Sequence, residues 1–212
     1  MKDLSNYRED YRRGELNESD VKANPFQQFE IWMQDAINNK GFEPNAMSVA
    51  TATPDGKPSI RVVLLKELTN QGFVFFTNYN SRKGNEIAHN PHAAIVFDWH
   101  VMERQVRIEG RIEKISDHDS DTYFNSRPEG SKIGAWVSPQ SQIVNGREEL
   151  NQLQQQTEQR FANQPIPRPP HWGGYILIPH RIEFWQGRTS RLHDRIVYNR
   201  NGDSWEVMRL AP

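Results

Sequence analysis

The chain has 212 residues, no cysteine, and 26 basic against 27 acidic side chains, for a net charge of −1. The lack of cysteine excludes disulfides, thiolate metal sites, iron–sulfur clusters and a cysteine nucleophile; the balanced charge gives no bulk attraction to nucleic acid or an anionic membrane. No stretch approaches about 18 consecutive apolar residues, the length of a membrane helix, and 35% apolar residues make a modest core that a dimer interface would usefully extend.

Residues 1–23 are polar, with Tyr7, Tyr11 and the pair Arg12 and Arg13. They show no core stripe, and 1–15 lack the apolar run of a secretory signal. They read as a flexible arm, residues 24–212 as a single domain, and the compartment as cytoplasmic. Asn24-Pro25 is an N-cap followed by proline at the first helical position. Phe26, Phe29, Met33, Ala36 and Ile37, with Trp32 alongside, then predict a helix that stops at Gly41.

From residue 46 the apolar period falls to about two. Strands are expected over 47–53, 59–66, 73–78, 93–99, 105–115, 174–178, 181–186, 195–198 and 205–210. Pro54-Asp55-Gly56 and Asn201-Gly202 mark hairpin turns. Short helices are expected after Ser81, ending before Asn90-Pro91; after Ser116, with Asp119 closing a capping box; and over 146–162. Four prolines within 165–170 read as an extended connector. Many short strands with few helices predict a mainly β fold with peripheral helices, a closed or nearly closed antiparallel barrel.

No G-x-G-x-x-G or G-x-x-x-x-G-K-[ST] loop is present, so a glycine-rich phosphate cradle is absent. His89 and His92 read as surface histidines; no metal site is expected. Arg82 and Lys83 fall in the first turn of a helix, where cations oppose the helix dipole. Such a helix start suits an anion. The strand Arg61-Val62-Val63-Leu64-Leu65-Lys66 carries cations at both ends. Taken with Arg82 and Lys83, four cations near one pocket suit a phosphate monoester. Tyr123, Arg127 and Ser131 supply further donors at and beyond a helix end.

The densest segment runs from Ile182 to Arg195: Glu183-Phe184-Trp185-Gln186, a four-residue gap, then Arg191-Leu192-His193-Asp194-Arg195. Trp185 can pack on a planar ring whose edge the loop reads. If Arg191-Leu192-His193 is extended, Arg191 and His193 share a side and Leu192 packs away.

That segment resembles the C-terminal signature of the pyridoxamine 5'-phosphate oxidase family. The family's other blocks have counterparts in order: Arg61 to Lys66, Phe76-Thr77-Asn78, Ser81-Arg82-Lys83, Glu103 to Val106, Tyr123 to Pro128, Ile133 to Ser138, Gln140-Ser141, and the closing Arg-Leu-Ala-Pro. The resemblance implies an FMN-binding split β-barrel of Greek-key type and a homodimer with FMN at the subunit interface. It implies oxidation of pyridoxamine or pyridoxine 5'-phosphate by O2 to pyridoxal 5'-phosphate. By the same resemblance, FMN falls to Arg61, Val62, Val63, Leu64, Leu65, Lys66, Phe76, Thr77, Arg82, Lys83, Gln105, Trp185 and Arg195, with Gln140 and Ser141 from the partner subunit. Substrate falls to Lys66, Tyr123, Arg127, Ser131, Arg191, Leu192 and His193, with Arg8 and Tyr11 as a lid. Arg191 and His193 are the residues expected at the reacting end. A related flavin oxidase of phenazine precursors and a non-catalytic flavin or pyridoxal-phosphate carrier are the rival readings.

Overall fold

Asn24 starts the first helix as its sequence predicts: its side-chain oxygen accepts the Phe26 N–H at 2.8 Å, and Pro25 occupies the first turn. The computed structural model describes residues 2–7, 9–40 and 43–212. Helix α1 spans Pro25–Asn38 and buries Phe29, Trp32 and Ala36. Ile37, expected on that face, is exposed, because the buried stripe follows a 3–4 spacing from Phe29 that passes it by. The strands are β1 (Ala46–Ala52), β2 (Pro58–Leu64), β3 (Glu67–Leu68), β4 (Phe73–Asn78), β5 (His92–Trp99), β6 (Arg104–Lys114), β7 (Trp172–Gln186), β8 (Asp194–Asn201) and β9 (Ser204–Arg209). The other helices are α2 (Arg82–His89), α3 (Asp117–Ser126), α4 (Glu129–Val137) and α5 (Arg147–Phe161). The strands hydrogen-bond in the order β2-β1-β5-β6-β7-β4-β3, with β8 on β7 and β9 on β8.

Two compact units divide the chain. The first comprises Met1–Val49, Ala94–Gly110 and Pro179–Pro212; the second comprises Ala50–Ala93 and Arg111–Ile178. In the first, Phe29 packs on Phe97 with ring centroids 5.0 Å apart, and Trp32 meets Phe184 edge to face at 5.2 Å. In the second, Phe75 lies 5.8 Å from Tyr175, and Phe124 lies 5.2 Å from Trp172.

The strands predicted over 174–178 and 181–186 form one strand, β7. Its first half pairs with β4 up to Leu177 and its second with β8 from Arg181, so Pro179 falls between the two ladders, where neither draws on the N–H it lacks. Helix α4, separate from α3, has no start signal in the sequence: its N-cap is Pro128, which makes no side-chain cap bond. The arm is pinned for part of its length. Leu16 is buried, its N–H donates to Asp194 at 3.1 Å, and the Arg209 guanidinium donates to its carbonyl at 2.9 Å.

Candidate functional site

A cavity of about 760 Å³ opens in the second unit, lined by Arg61, Lys66, Lys83 and Arg127 among other residues. Strand β2 brings Arg61, and also Val62, Val63 and Leu64, to its wall. Lys83 arrives on α2. Ser81 caps that helix through its hydroxyl, which accepts the Gly84 N–H at 3.3 Å and donates to the Asn78 carbonyl at 2.7 Å. Gly84 is required there, because a Cβ would lie 2.1 Å from the Tyr79 carbonyl oxygen. The Lys83 Nζ donates to Thr77 Oγ1 and to Gln140 Oε1, each at 2.9 Å. Burial, reinforced by nearby Arg61, pushes the Lys83 ammonium down to about 8. An anion in the cavity would reverse that penalty.

Arg127 is the C-cap of α3. Its guanidinium lies 4.5 Å from the Trp172 ring and 5.6 Å from that of Phe124. Among the described residues, its Nη1 is the one buried side-chain nitrogen or oxygen without a hydrogen-bond partner. Burial lowers the guanidinium below arginine's ordinary value, with Tyr123 opposing. A buried cationic donor left unmatched costs free energy until an acceptor reaches it. Tyr123 is held flat against Phe76 at 3.9 Å, and Ser131 faces the same cavity from α4.

A second cavity, about 800 Å³, lies in the first unit between Tyr11, Gln105, Trp185, Arg191 and His193. Tyr11 meets Trp185 edge to face at 5.7 Å, and His193 tilts over Trp185 at 4.7 Å. His193 Nδ1 accepts the Arg188 N–H at 3.1 Å, so the neutral ring carries its proton on Nε2. Burial, then the charge of Arg191, pushes the imidazole below its ordinary value, with Asp194 opposing. The Asp194 carboxylate does not serve His193. It accepts from Leu16 N–H at 3.1 Å and from Arg209 at 2.7 Å.

A model of the pyridoxamine 5'-phosphate oxidase family matches residues 33–160, and its C-terminal dimerisation region matches 172–212. The chain belongs to this family. A pyridoxine/pyridoxamine 5'-phosphate oxidase of Trichormus variabilis is 57% identical over 210 residues, covering 99% of this chain and 98% of that one. A namesake from Burkholderia mallei is 53% identical over 215 residues and covers both chains fully. Among solved structures, PhzG of Burkholderia lata in complex with tetrahydrophenazine-1-carboxylic acid has a TM-score of 0.86 at 30% identity, covering 92% of this chain and 95% of that one. A pyridoxamine 5'-phosphate oxidase-related, FMN-binding protein of Nostoc punctiforme has a TM-score of 0.71 at 18% identity, covering 91% of this chain and all of the other. That likeness shows the fold, the split barrel expected from the sequence.

As a member of the pyridoxamine 5'-phosphate oxidase family the chain is an oxidoreductase, and its last strands match the region through which the family dimerises. Arg61, Val62, Val63, Leu64, Lys66, Phe76, Thr77, Lys83, Tyr123, Arg127, Ser131 and Gln140 converge on the first cavity. Tyr11, Gln105, Trp185, Arg191 and His193 converge on the second. Arg8 lies outside the described residues. Leu65 is buried and Ser141 sits in a turn at φ 71, and neither lines the two cavities described. Arg82 is exposed, with its Nε 2.9 Å from Glu86, because one residue of helix turns it about 100° from Lys83. Arg195 pairs with buried Glu183 at 2.8 and 3.0 Å instead of lining the cavity. Gln140 bonds Lys83 and Thr77 within the chain.

Arg191-Leu192-His193 is not extended. Arg191 has a left-handed φ of 60°, and Leu192 is 69% exposed where it was expected to pack away. Arg191 and His193 nonetheless share the cavity because the turn, not a strand pleat, aligns them. Trp172, the platform beneath Arg127, carries no sequence signal beyond being the aromatic before Gly173-Gly174. Among the described residues no three His, Asp or Glu side chains form a metal-holding group, and no helix is long and apolar enough to cross a membrane.

Proposed function

We propose that the protein uses FMN to oxidise pyridoxamine 5'-phosphate or pyridoxine 5'-phosphate by O2 to pyridoxal 5'-phosphate, releasing H2O2 and, from the amine, ammonia. The reading places FMN at the interface of a homodimer. The unmatched, buried Nη1 of Arg127 carries it, set in a cavity with three further cations. Two phosphate monoesters, one on the cofactor and one on the substrate, match that cationic wall in charge.

Arg61 and Lys83, with Gln140 and Thr77 beside them, bind the cofactor phosphate. Lys66, Tyr123, Arg127 and Ser131 bind the substrate phosphate. Trp185 and Gln105 flank the flavin ring. Bound FMN supplies the two-electron acceptor for the hydride equivalent leaving the substrate C4' carbon. Arg191 holds the pyridine ring by permanent charge. His193, neutral and protonated on Nε2, offers that N–H to the ring or its reacting substituent. Tyr11, packed against His193 at 5.6 Å, shields that end from water.

A phenazine carboxylic acid offers a single carboxylate charge where a phosphate monoester offers nearly two, so the four cations of the first cavity favour the vitamer phosphates. The test is the absorbance of the purified protein, followed by anaerobic titration with each vitamer phosphate and with its dephosphorylated form. The reading requires a flavin spectrum that the phosphorylated vitamers bleach at far lower concentration. Equal bleaching by the dephosphorylated forms, or none by either, overturns it.

A further inference from the structure

Beneath the cationic wall lies an unexpected group, a buried carboxylate. Glu86 on α2 is 5% exposed, yet it stands beside the guanidinium assigned to the cofactor phosphate. Alone, such a charge would repel a phosphate dianion. Its contacts show a different use. Glu86 Oε2 accepts from the Thr51 hydroxyl and from the Ser59 hydroxyl. Those hydroxyls in turn accept from Arg61, Nη1 to Thr51 at 2.6 Å and Nη2 to Ser59. Arg61 Nη2 also stands 3.4 Å from the carboxylate itself. On the far side, Arg82 Nε donates to Glu86 Oε1 at 2.9 Å.

A hydroxyl has one proton to give. Because Thr51 and Ser59 each give theirs to Glu86, both must present lone pairs to Arg61. The carboxylate thus orients two acceptors and locks the guanidinium at the cavity wall. Arg82 shares the carboxylate with Arg61, so the two guanidiniums and one carboxylate together keep a net positive charge at the wall. Burial alone would raise the Glu86 carboxyl, but the hydrogen bonds from Ser59 and Thr51, and then Arg82, hold it down to about 2.

We infer that Glu86 is a positioning residue for cofactor-phosphate binding, acting on Arg61 through the Thr51 and Ser59 hydroxyls. This rests on the reading of Arg61 as a ligand of the FMN phosphate. Glu86→Gln keeps the shape but sets an amide N–H2 against groups that are all donors. Either the hydroxyls turn their protons toward Arg61 or Arg82 loses its acceptor.

The test is flavin binding by protein stripped of flavin, with FMN and riboflavin as probes, in Glu86→Gln, Arg61→Met and the double variant. Arg61→Met must weaken FMN and spare riboflavin; unchanged FMN affinity there overturns the phosphate reading itself. Given that loss, Glu86→Gln is expected to weaken FMN about tenfold, the scale of one hydrogen bond. It should leave riboflavin unchanged and have no further effect beside Arg61→Met. Equal losses for FMN and riboflavin, additive losses in the double variant, or tighter FMN binding would each overturn the inference. Thr51→Val, which deletes one arm of the relay, must show the same discrimination and the same coupling to Arg61; a Thr51→Val protein that binds FMN normally overturns it even if Glu86→Gln does not fold.

Discussion

Arg127→Met separates binding from folding, because Arg127 is built to meet an absent acceptor. Its Nη1 is shielded and unmatched, while its face rests on Trp172 at 4.5 Å. A substrate phosphate reaching that nitrogen makes a charge-assisted hydrogen bond of about 1.5–3 kcal/mol. Its loss raises KM roughly 10- to 150-fold. The phosphate is remote from the bond that breaks, so kcat should change little. Stability should move the other way or not at all. Methionine gives up a cation–π contact of about 0.5–2 kcal/mol, but its sulfur regains about 0.3–1.5 kcal/mol against the same rings. It also removes an unsatisfied donor that costs about 1–3 kcal/mol. The assays are steady-state kinetics, flavin absorbance after dialysis, and urea unfolding without ligand. The expected result is a raised KM, full flavin content and a ligand-free stability within about 1 kcal/mol of the parent. Unchanged KM, lost flavin, or a stability drop beyond about 2 kcal/mol would refute the reasoning, the last by making Arg127 a structural residue.

The Lys83 ammonium titrates near 8 in the fold and near its ordinary 10.5 in the unfolded chain. The unfolded chain therefore binds more protons between those values, so flavin-free stability gains with rising pH across that window, and Lys83→Met abolishes the gain in urea titrations. FMN affinity falls over the same rise, as the free protein loses the cation. Arg209 donates to Glu18 at 2.7 and 2.9 Å and to Asp194 at 2.7 Å. Arg209→Ala should speed hydrogen exchange at the Leu16 amide about tenfold or more, and unchanged protection would show that this clamp does not hold the arm. Gly84→Ala sets a methyl 2.1 Å from the Tyr79 carbonyl oxygen. It should destabilise by about 1–3 kcal/mol or more, read as a lowered Tm with no compensation by added FMN.

Much of the local structure was legible in the chain. Asn24, Ser81 and Ser116 cap helices where their side chains can reach the following N–H groups, a matter of two or three residues. The strand over 73–78 was readable because a period of two needs no partner to be seen. The types of residue at the site, arginine, lysine, tyrosine and tryptophan without a glycine-rich loop, were also on view, and with them the family.

What each cation does was decided only by the tertiary structure. Arg82 and Lys83 are neighbours in sequence, yet the helix leaves Arg82 exposed, reaching back to buried Glu86, and turns Lys83 inward to Gln140. Asp194 adjoins His193 but bonds Leu16 and Arg209, about 180 residues back and 15 residues on. Glu86 reads as an ordinary polar position until Thr51 and Ser59 fold against it. Pro179 reads as a strand end until β4 and β8 divide β7 between them. Caps and periods depend on atoms a few bonds apart, so the sequence determines them. Hydrogen-bond partners, burial and the charge a side chain meets depend on distances through space, and only the folded chain sets those.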